Sequence, residues 1–484
     1  MNQPHKLSTG LAGLDEILFG GFIRQNSYLI RGGPGTGKST LGYHFLKEAV
    51  QNNEQALYIT FGEPEERILR NADGMGIDLS ELIFLELTPD EEIYRNPSNY
   101  TIFKSSEVER DPIVKAVVET FEKHKPSRVF LDSVTMLKQL NQDPFQLRKQ
   151  ALSFIRYICN RGATLLMTSE SDDPKQDQEA SYWVDGILHL EYSPDWRKLS
   201  VTKFRGSNFR DGTHAYKITG NGITVYPRLQ PDRYKKEFLS DPLSSGIQEL
   251  DKMTSGGIEK GTTTLITGPS GVGKTNLGIQ FTKEAASRGE HSAIYTFEES
   301  NEIITKRSEG INVPIEKMVK NGKLKIISVE PLSYSPDEFS QMVRSDVEEN
   351  DTKLVMIDTI GAYSLAVREE NALERLHSLT VYLQNMGVTT ILINETHNIT
   401  GNFTTTNLNA SYLSDNIIFM RYLELGGEIQ KVIGVLKKRL SDFERSIRKF
   451  DITSDGLVVG EKLSHLQGIL TGIPRHISAE NIGD

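Results

Sequence analysis

Two segments of this chain match the pattern G-x-x-x-x-G-K-[ST] without a mismatch. They are residues 32–39, GGPGTGKS, and residues 268–275, GPSGVGKT. Glycines in such a loop allow backbone N–H groups to approach the β-phosphate of a nucleotide, where a Cβ atom would block them. The lysine contacts the β- and γ-phosphates, and the final Ser or Thr offers its hydroxyl to Mg²⁺. Because the pattern occurs twice, we predict two nucleotide sites and not a chance match.

Each loop lies between a predicted strand and a predicted helix. Short β-rich runs precede the loops at residues 26–30 and 262–266, and helical patterns follow at residues 41–46 and 277–281. A helix that begins at such a loop directs the positive end of its dipole at the phosphates. We therefore expect a nucleoside triphosphate and Mg²⁺ as cofactors, and the family resemblance given below implies that the nucleotide is ATP. The residues expected to contact it are Gly35, Thr36, Gly37, Lys38, Ser39, Thr40, Gly271, Val272, Gly273, Lys274, Thr275 and Asn276.

The two loops belong to two copies of one longer pattern. Residues 7–15, LSTGLAGLD, resemble residues 243–251, LSSGIQELD, and the two loop lysines are 236 residues apart. In each copy short apolar runs alternate with helical patterns, which is typical of a largely parallel, helix-covered sheet. A chain of 484 residues is also too long for one ordinary core. We therefore predict an α/β protein with a first domain at 1–228, a charged, Pro-bearing linker at 229–240, a second domain at 241–460, and a polar tail without strands at 461–484.

Two aspartates end apolar runs in corresponding places, Asp132 in the first copy and Asp358 in the second. In a phosphate-loop fold such an aspartate lies beside Mg²⁺, usually with a water molecule between them. Taken alone, each aspartate would equally suit a helix cap or a turn. With the loops upstream, we expect Ser39 and Asp132 to hold the first metal ion, and Thr275 and Asp358 the second.

An acidic motif follows another predicted strand of each copy. It reads TFGEPEE at residues 60–66 and TFEES at residues 296–300. A carboxylate here can polarise a water molecule or a hydroxyl group for attack on the γ-phosphate. We expect Glu63, Glu298 and Glu299 to be the catalytic residues. Because Gly62 takes the place of Glu298 in the first copy, Glu63 must act alone there.

A late strand of each copy ends in spaced cations, Lys203 and Arg205 in the first and Lys437 and Arg439 in the second. Strand alternation places each pair on one face. Such cations can contact the nucleotide of a neighbouring subunit, as arginine fingers do. A solvated face is the alternative interpretation.

Composition narrows the class of protein. A net charge of −10 argues against a protein devoted to coating nucleic acid. The chain has no run of about 18 apolar residues, so no membrane span is predicted, and its polar start predicts no signal peptide. Cys159 is the only cysteine, which excludes an internal disulfide and indicates a small buried residue and not a nucleophile. We therefore expect a cytoplasmic protein.

These parts in this order resemble the KaiC family, the double-domain ATPases of the RecA superfamily. The resemblance covers residues 7–475 and rests on the paired loops, the Phe-Glu-Glu run at 297–299, the Lys-x-Arg strands and GILTGIPR at 468–475. It implies two tandem RecA-like P-loop NTPase domains in a double-ring homohexamer with ATP between subunits. It also implies that the first ring is mainly an ATPase and that the second ring autophosphorylates as well.

The resemblance places the first phosphosite of the family on Ser411 and an upstream family threonine on Thr406. Tyr412 stands where family members carry a second Ser or Thr. A tyrosine hydroxyl lies about 4 Å farther from the backbone than a serine oxygen, so we do not expect a two-step Ser/Thr cycle at Tyr412. A Ser-Tyr pair also occurs at 181–182, so the pair at 411–412 is alternatively a feature of how this strand begins.

The resemblance also bears on partners. Residues 476–484 are shorter than the family tail that binds the activator KaiA, so we expect no KaiA-type activator, a KaiB-like or signalling partner, and a source outside the cyanobacteria. The leading hypothesis is a slow, ATP-driven regulatory switch. Two alternatives stay open: a RecA/RadA-like DNA-dependent ATPase, and a scaffold in which nucleotide only joins the subunits. Against the first, residues 136–142 are only mildly basic and residues 361–366 carry no cation.

Overall fold

Short runs rich in β-branched and aromatic residues form the buried strands of two nine-stranded sheets. The computed structural model describes residues 6–87, 110–134, 144–169, 182–193, 196–367, 371–396, 410–470 and 475–476. The chain divides into two compact units, residues 1–228 and 229–484. Each unit is described by itself below.

Between residues 27 and 169 of the first unit, the described strands and helices alternate. The helices are α1 Ala12–Ile17, α2 Lys38–Gln51, α3 Glu65–Asp73, α4 Arg110–His124 and α5 Pro144–Asn160. The strands are β1 Lys6–Leu7, β2 Phe22–Ile23, β3 Ser27–Arg31, β4 Ala56–Thr60, β5 Ile83–Glu86, β6 Arg128–Asp132, β7 Thr164–Ser169, β8 Gly186–Tyr192, β9 Arg197–Phe204, β10 Thr213–Thr219 and β11 Gly222–Tyr226.

The second unit repeats this order. Its helices are α6 Gln248–Met253, α7 Lys274–Ser287, α8 Asn301–Glu309, α9 Ile315–Lys320, α10 Pro336–Glu349, α11 Ile360–Val367 and α12 Ala372–Asn385. Its strands are β12 Pro242–Leu243, β13 Ile258–Glu259, β14 Thr263–Gly268, β15 Ser292–Thr296, β16 Leu324–Ser328, β17 Leu354–Asp358, β18 Thr389–Glu395, β19 Asn416–Leu425, β20 Glu428–Lys438, β21 Arg448–Thr453, β22 Gly456–Lys462, β23 Leu466–Gln467 and β24 Arg475–His476.

The two large sheets have the same topology. The first runs β5-β4-β6-β7-β3-β8-β9-β10-β11 and the second runs β16-β15-β17-β18-β14-β19-β20-β21-β22. In both, the first six strands are parallel and the last three pairings are antiparallel. This confirms the predicted class of two tandem, largely parallel, helix-covered sheets. The strands that precede the glycine-rich loops, β3 and β14, lie inside the parallel part, so the loops project from its carboxyl edge, where α/β proteins bind ligands.

Apolar side chains cover both faces of each sheet. In β3, Tyr28 and Ile30 pack into the core on one face and Leu29 into the core on the other. The helix after the first loop, α2, lies very close to the sheet, because a Cβ on Gly42 would come within 2.2 Å of Cζ of Phe130. This close packing fixes where the loop and the start of α2 stand relative to the strand ends.

The segments expected to be linker and tail both contact the second unit. Leu229 is buried in a core of that unit, and the ring of Tyr234 packs edge-on against Tyr382 with centroids 5.0 Å apart. At the other end, β22 runs past residue 460, and Leu466 and Ile469 are buried in an apolar cluster. Strand character therefore continues beyond the point where the sequence pattern weakens. Within the described ranges, no helix combines the length and apolar character needed to cross a membrane.

Candidate nucleotide-binding sites

The first loop connects β3 to α2 through glycines in the left-handed region of backbone conformation. Gly35 has φ +74° and Gly37 φ +91°, and a Cβ on Gly37 would come within 2.6 Å of Cδ1 of Ile218. Helix α2 begins at Lys38, so the backbone N–H groups of its first turn face the loop. The Lys38 ammonium donates to the carbonyls of Gly32 at 2.7 Å and Gly33 at 2.8 Å. This backbone conformation, with a lysine at the start of the helix, is typical of loops that bind phosphate groups.

The second loop has the same backbone conformation. Gly271 has φ +75° and Gly273 φ +116°, and helix α7 begins at Lys274. The Lys274 ammonium donates to the carbonyl of Pro269 at 2.7 Å and lies 3.8 Å from a carboxylate oxygen of Glu395. Burial lowers the pKa of Lys274, although neighbouring carboxylates act in the opposite direction.

Each loop ends in a hydroxyl that is hydrogen-bonded to the aspartate at the end of a parallel strand. Ser39 Oγ donates to Oδ2 of Asp132 at 2.7 Å, and Thr275 Oγ1 donates to Oδ2 of Asp358 at 2.8 Å. Each pair brings together two oxygen ligands of the kind that Mg²⁺ prefers, beside the loop that would hold its phosphates. The donor set therefore fits Mg²⁺ bound together with a nucleotide. The metal role of these four residues stays a prediction.

The aspartates differ in their surroundings. Asp132 also accepts hydrogen bonds from Thr168 Oγ1 at 2.5 Å and from the hydroxyl of Tyr58 at 3.2 Å. Burial raises the pKa of Asp358 to about 6, and the negative charges of Glu299 and Glu298 act in the same direction. Burial thus makes the ionised form of Asp358 less favourable than that of a solvent-exposed carboxyl group.

The predicted catalytic acids follow β4 and β15 in equivalent backbone positions. The N–H of Glu63 donates to Thr60 Oγ1, and the N–H of Glu299 donates to Thr296 Oγ1, each at 3.2 Å. Their side chains have different partners. Glu63 accepts from Asn71 Nδ2 at 2.9 Å and pairs with Arg67 at 3.1 Å.

In the second unit, the guanidinium of Arg307 is 2.5 Å from Oε1 of Glu299. Glu298 accepts a hydrogen bond from Thr359 Oγ1 at 3.0 Å. Each of these two acids therefore has a partner on its own chain.

The structure brings most of the predicted residues of the second site around one cavity of about 280 Å³. Gly271, Gly273, Lys274, Thr275, Asn276, Glu298, Glu299 and Asp358 line it. Val272 instead lies in the apolar core beneath the loop, and in the first loop Thr36 and Thr40 are buried. The predicted contacts of these three residues with ATP stay predictions.

Four further residues line this cavity that the sequence analysis did not assign to the site, namely Ser270 of the loop itself, Arg307, Thr359 and Glu395. Arg307 and Asn71 are 236 residues apart, as the loop lysines are. A position-by-position comparison of the two copies would have shown that Arg307 stands where the first copy has Asn71. Glu395 is 121 residues from Lys274, and only the parallel pairing of β14 with β18, which sets Gly268 opposite Glu395, brings it to the loop.

The four predicted cations contact their own chain. Lys203 donates to the carbonyl of Val184 at 2.6 Å, and Lys437 donates to the carbonyl of Ser414 at 2.5 Å. The corresponding arginines face carboxylates, with Arg205 at 3.8 Å from Asp185 and Arg439 at 3.2 Å from Asp415. Lys437 and Arg439 are not part of the lining of the cavity described above. The two pairs are alike, as the sequence duplication implies.

Ser411 and Tyr412 lie in a short 3₁₀ turn, Ala410–Leu413, just before β19. The carbonyl of Ser411 accepts from Lys437 Nζ at 3.2 Å, and the ring of Tyr412 packs edge-on against His377 at 5.5 Å. Thr406 and residues 136–142 lie outside the described residues. Residues 361–366 belong to helix α11, which contains no basic residue.

Cys159 is half-buried, and burial raises the pKa of its thiol to about 12. The thiol therefore stays protonated at neutral pH. This agrees with an inert packing role.

Comparison with known proteins agrees with the duplicated site. The family model described as "ATPase: KaiC" matches residues 7–230 and again residues 243–464. Among curated relatives, the circadian clock oscillator protein KaiC of Parasynechococcus marenigrum is 27% identical over 494 residues, covering 99% of this chain and 94% of the relative. The KaiC of one Prochlorococcus marinus strain is 28% identical, covering 99% of this chain and 97% of the relative. The circadian clock protein KaiC3 of a Synechocystis strain is 26% identical, covering 99% and 96%.

The raised pKa of Asp358 generates a prediction about stability. A carboxyl whose pKa is raised by folding stabilises the folded state fully below its unfolded pKa, and this contribution is lost as pH rises through about 6. We expect Asp358→Asn to stabilise the nucleotide-free protein at pH 8 by about 2–3 kcal/mol. The gain should disappear below pH 4. Calorimetry of the melting transition across this pH range measures both.

Asp455 offers a matched control, because Asp455→Asn removes the same charge from a solvent-exposed position. Adding Mg·ATP should raise the melting temperature of the unmodified protein and of the control more than that of Asp358→Asn. Destabilisation of Asp358→Asn at pH 8 would show that the ionised carboxylate is well accommodated without a cation.

Proposed function

This chain belongs to the KaiC ATPase family, and from that premise we propose that it is a Mg²⁺-dependent, double-ring homohexameric ATPase that autophosphorylates Ser411. The observation that carries the proposal is the hydroxyl–carboxylate pair at the end of each glycine-rich loop, 2.7 Å apart in the first unit and 2.8 Å in the second. Two complete sets of nucleotide-binding parts in one chain support hydrolysis at two sites. We place this activity in a slow, ATP-driven regulatory switch.

The chemistry at each site follows from the side chains around the loop. A water oxygen forms a bond to the γ-phosphorus while the bond from that phosphorus to the β,γ-bridging oxygen breaks, which leaves ADP and phosphate. The proton of the water passes to Glu63 in the first site and to Glu299 in the second. Lys38 and Lys274 stabilise the charge on the phosphate oxygens. A bound Mg²⁺ would further neutralise that charge, with Ser39 and Asp132, or Thr275 and Asp358, as its protein ligands.

Glu298 gives the second site a further acid that the first site lacks, because the first copy has Gly62 at this position. A second carboxylate beside the γ-phosphate could itself accept a proton, such as the proton of a serine hydroxyl group. In autophosphorylation the oxygen of Ser411 would form the bond to phosphorus, ADP would leave, and Glu298 or Glu299 would take the hydroxyl proton.

The position of Ser411 supports its assignment as the acceptor. Its turn precedes β19, and Lys437, one of the cations proposed to act on a neighbouring nucleotide, donates to its carbonyl. The acceptor and these cations therefore share one surface, which in a ring would face the next subunit's ATP. Tyr412 packs its ring against His377, which supports treating Ser411 alone as the phosphosite.

Hexamer formation is supported by the exposure of the two arginines. The side chain of Arg205 is 61% exposed and that of Arg439 is 55% exposed. Each exposed guanidinium pairs with one less exposed carboxylate of its own chain, and ion pairs at the protein surface are typically worth about 0–1 kcal/mol. Exchange of that partner for a triphosphate on an adjacent subunit costs little, so both arginines are available to complete a neighbouring site. We further propose a cytoplasmic protein with a KaiB-like or signalling partner.

Hydrolysis is tested by removing the loop lysines together. The Lys38→Ala, Lys274→Ala double variant should lose at least about 100-fold in turnover, because each lysine stabilises transition-state charge. Release of inorganic phosphate in the presence of Mg²⁺ measures it. Each single variant should keep the activity of the other site, and unchanged hydrolysis by the double variant would refute the assignment.

Autophosphorylation is tested separately by mass spectrometry after incubation with Mg·ATP. Phosphate should appear on Ser411 and be absent from Ser411→Ala and from Lys274→Ala. Phosphate on Tyr412 alone, or none at several Mg²⁺ concentrations, would remove the kinase activity from the proposal and leave the ATPase.

A further inference from the structure

Arg307 is the cation that most distinguishes the second site from the first. It lies on α8 and its Nη1 is 2.5 Å from Oε1 of Glu299. Its counterpart in the first unit is Asn71 on α3, whose amide is 2.9 Å from Oε1 of Glu63. The same position therefore contacts the same acid in both copies. The contact is a neutral amide in one site and a guanidinium in the other.

Two nitrogen donors of the Arg307 guanidinium have no acceptor within the described part of the chain. Its Nε and Nη2 are buried and have no hydrogen-bond partner among the residues that the structure describes. Arg307 lines the cavity together with Lys274 and Asp358. A guanidinium carries five N–H donors in a planar fork, and buried donors without acceptors are costly. Oε2 of Glu299 is likewise buried without a hydrogen-bond partner among the described residues, and an oxyanion that enters the cavity would supply acceptors to Nε and Nη2 of Arg307.

Charge points to the same kind of acceptor. The cavity contains the carboxylates of Glu298, Glu299, Asp358 and Glu395, and its loop ammonium is that of Lys274. These carboxylates repel an incoming anion. An anion can therefore bind only beside the positive charges of Lys274 and Arg307. The fork of Arg307 matches the spacing of two oxygens on one phosphoryl group.

We propose that Arg307 binds the terminal phosphoryl group of ATP in the second site from within the same chain and thereby sets the position of Glu299. The proposal rests on the proposed nucleotide-binding function. With ATP bound, Nε and Nη2 donate to γ-phosphate oxygens while Nη1 keeps the carboxylate of Glu299 beside them. With ADP bound, the contact with Glu299 remains and the phosphoryl contact is lost. Arg307 is thus a positioning residue through which the second site distinguishes ATP from ADP.

The first site lacks this device. Asn71 has an amide in place of the guanidinium, and the arginine that pairs with Glu63, Arg67, has a side chain that is 64% exposed. At the position of Arg67 the second copy has Ile303. We therefore expect the first site to discriminate less between the two nucleotides than the second.

The test measures nucleotide affinity in the full-length chain with the first site disabled by Lys38→Ala. In that background, calorimetric titration with Mg²⁺ compares the ATP analogue AMP-PNP with ADP. Arg307→Asn should weaken AMP-PNP about tenfold or more, the scale of one charge-assisted hydrogen bond. ADP should change by less than about twofold. Arg307→Lys should recover part of the difference, because it restores the charge without the fork.

Lys306→Asn is the matched control, since it removes the same charge from an exposed neighbour on α8 that does not line the cavity. It should alter neither affinity. If Arg307→Asn weakens both nucleotides equally, or neither, the proposal is overturned and Arg307 only packs against Glu299.

Two further outcomes separate the proposal from its premise. The Lys38→Ala protein is compared with the Lys38→Ala, Lys274→Ala double variant. If both bind AMP-PNP equally weakly, the second loop binds no nucleotide and the proposed function itself fails. Should Arg307→Asn not fold, the reciprocal change Asn71→Arg in a Lys274→Ala background tests the same idea in the first site. It should increase the preference for AMP-PNP over ADP there, and an unchanged preference would count against the proposal.

Discussion

A hydroxyl group donates a hydrogen bond to a carboxylate at the end of each glycine-rich loop, and the packing of both units places these two groups together. Ser39 and Thr275 lie in the first turn of the helix that follows the loop. Asp132 and Asp358 each end a strand that lies two places in the sheet from the strand that precedes the loop. The pair forms only if that helix lies close to the sheet. The helix glycines allow this, and a Cβ on Gly42 or on Gly278 would collide with the strand beneath. The packing of this helix against the sheet therefore fixes the hydroxyl–carboxylate pair on which the proposed metal site depends.

The duplication makes the differences between the two sites informative. Both units keep the strand order, the loop conformation and the hydroxyl–carboxylate pair, but the groups around the γ-phosphate position have diverged. The second site has Glu298 where the first has Gly62, and Arg307 where the first has Asn71. It also has the buried carboxyl of Asp358, whose pKa is raised to about 6. The second site therefore has a carboxylate and a guanidinium at two positions where the first site has neutral residues.

Much of the fold could be predicted from the sequence because its signals are local. Apolar runs ending in Asp132 and Asp358, with helical patterns between strands, indicated parallel sheets, and the family resemblance carried by the motifs is confirmed by the matches across the chain. The partners of the acids were not all predictable in the same way. Glu299 and Arg307 are eight residues apart, and Arg307 lies in the helix that begins just after Glu299, so a comparison of the two copies could have found this pair. Lys274 meets Glu395 only because β14 pairs with β18, and such a contact depends on tertiary register, which spacing along the chain does not encode. The catalytic and metal roles of the site residues remain predictions.

The number of nucleotides held by one chain tests the central claim most directly. Equilibrium binding of AMP-PNP in the presence of Mg²⁺ should saturate at two nucleotides per chain, because each unit has its own loop and its own hydroxyl–carboxylate pair. Chelating the Mg²⁺ should release both. Saturation at one nucleotide or none, or full occupancy without Mg²⁺, would contradict the account.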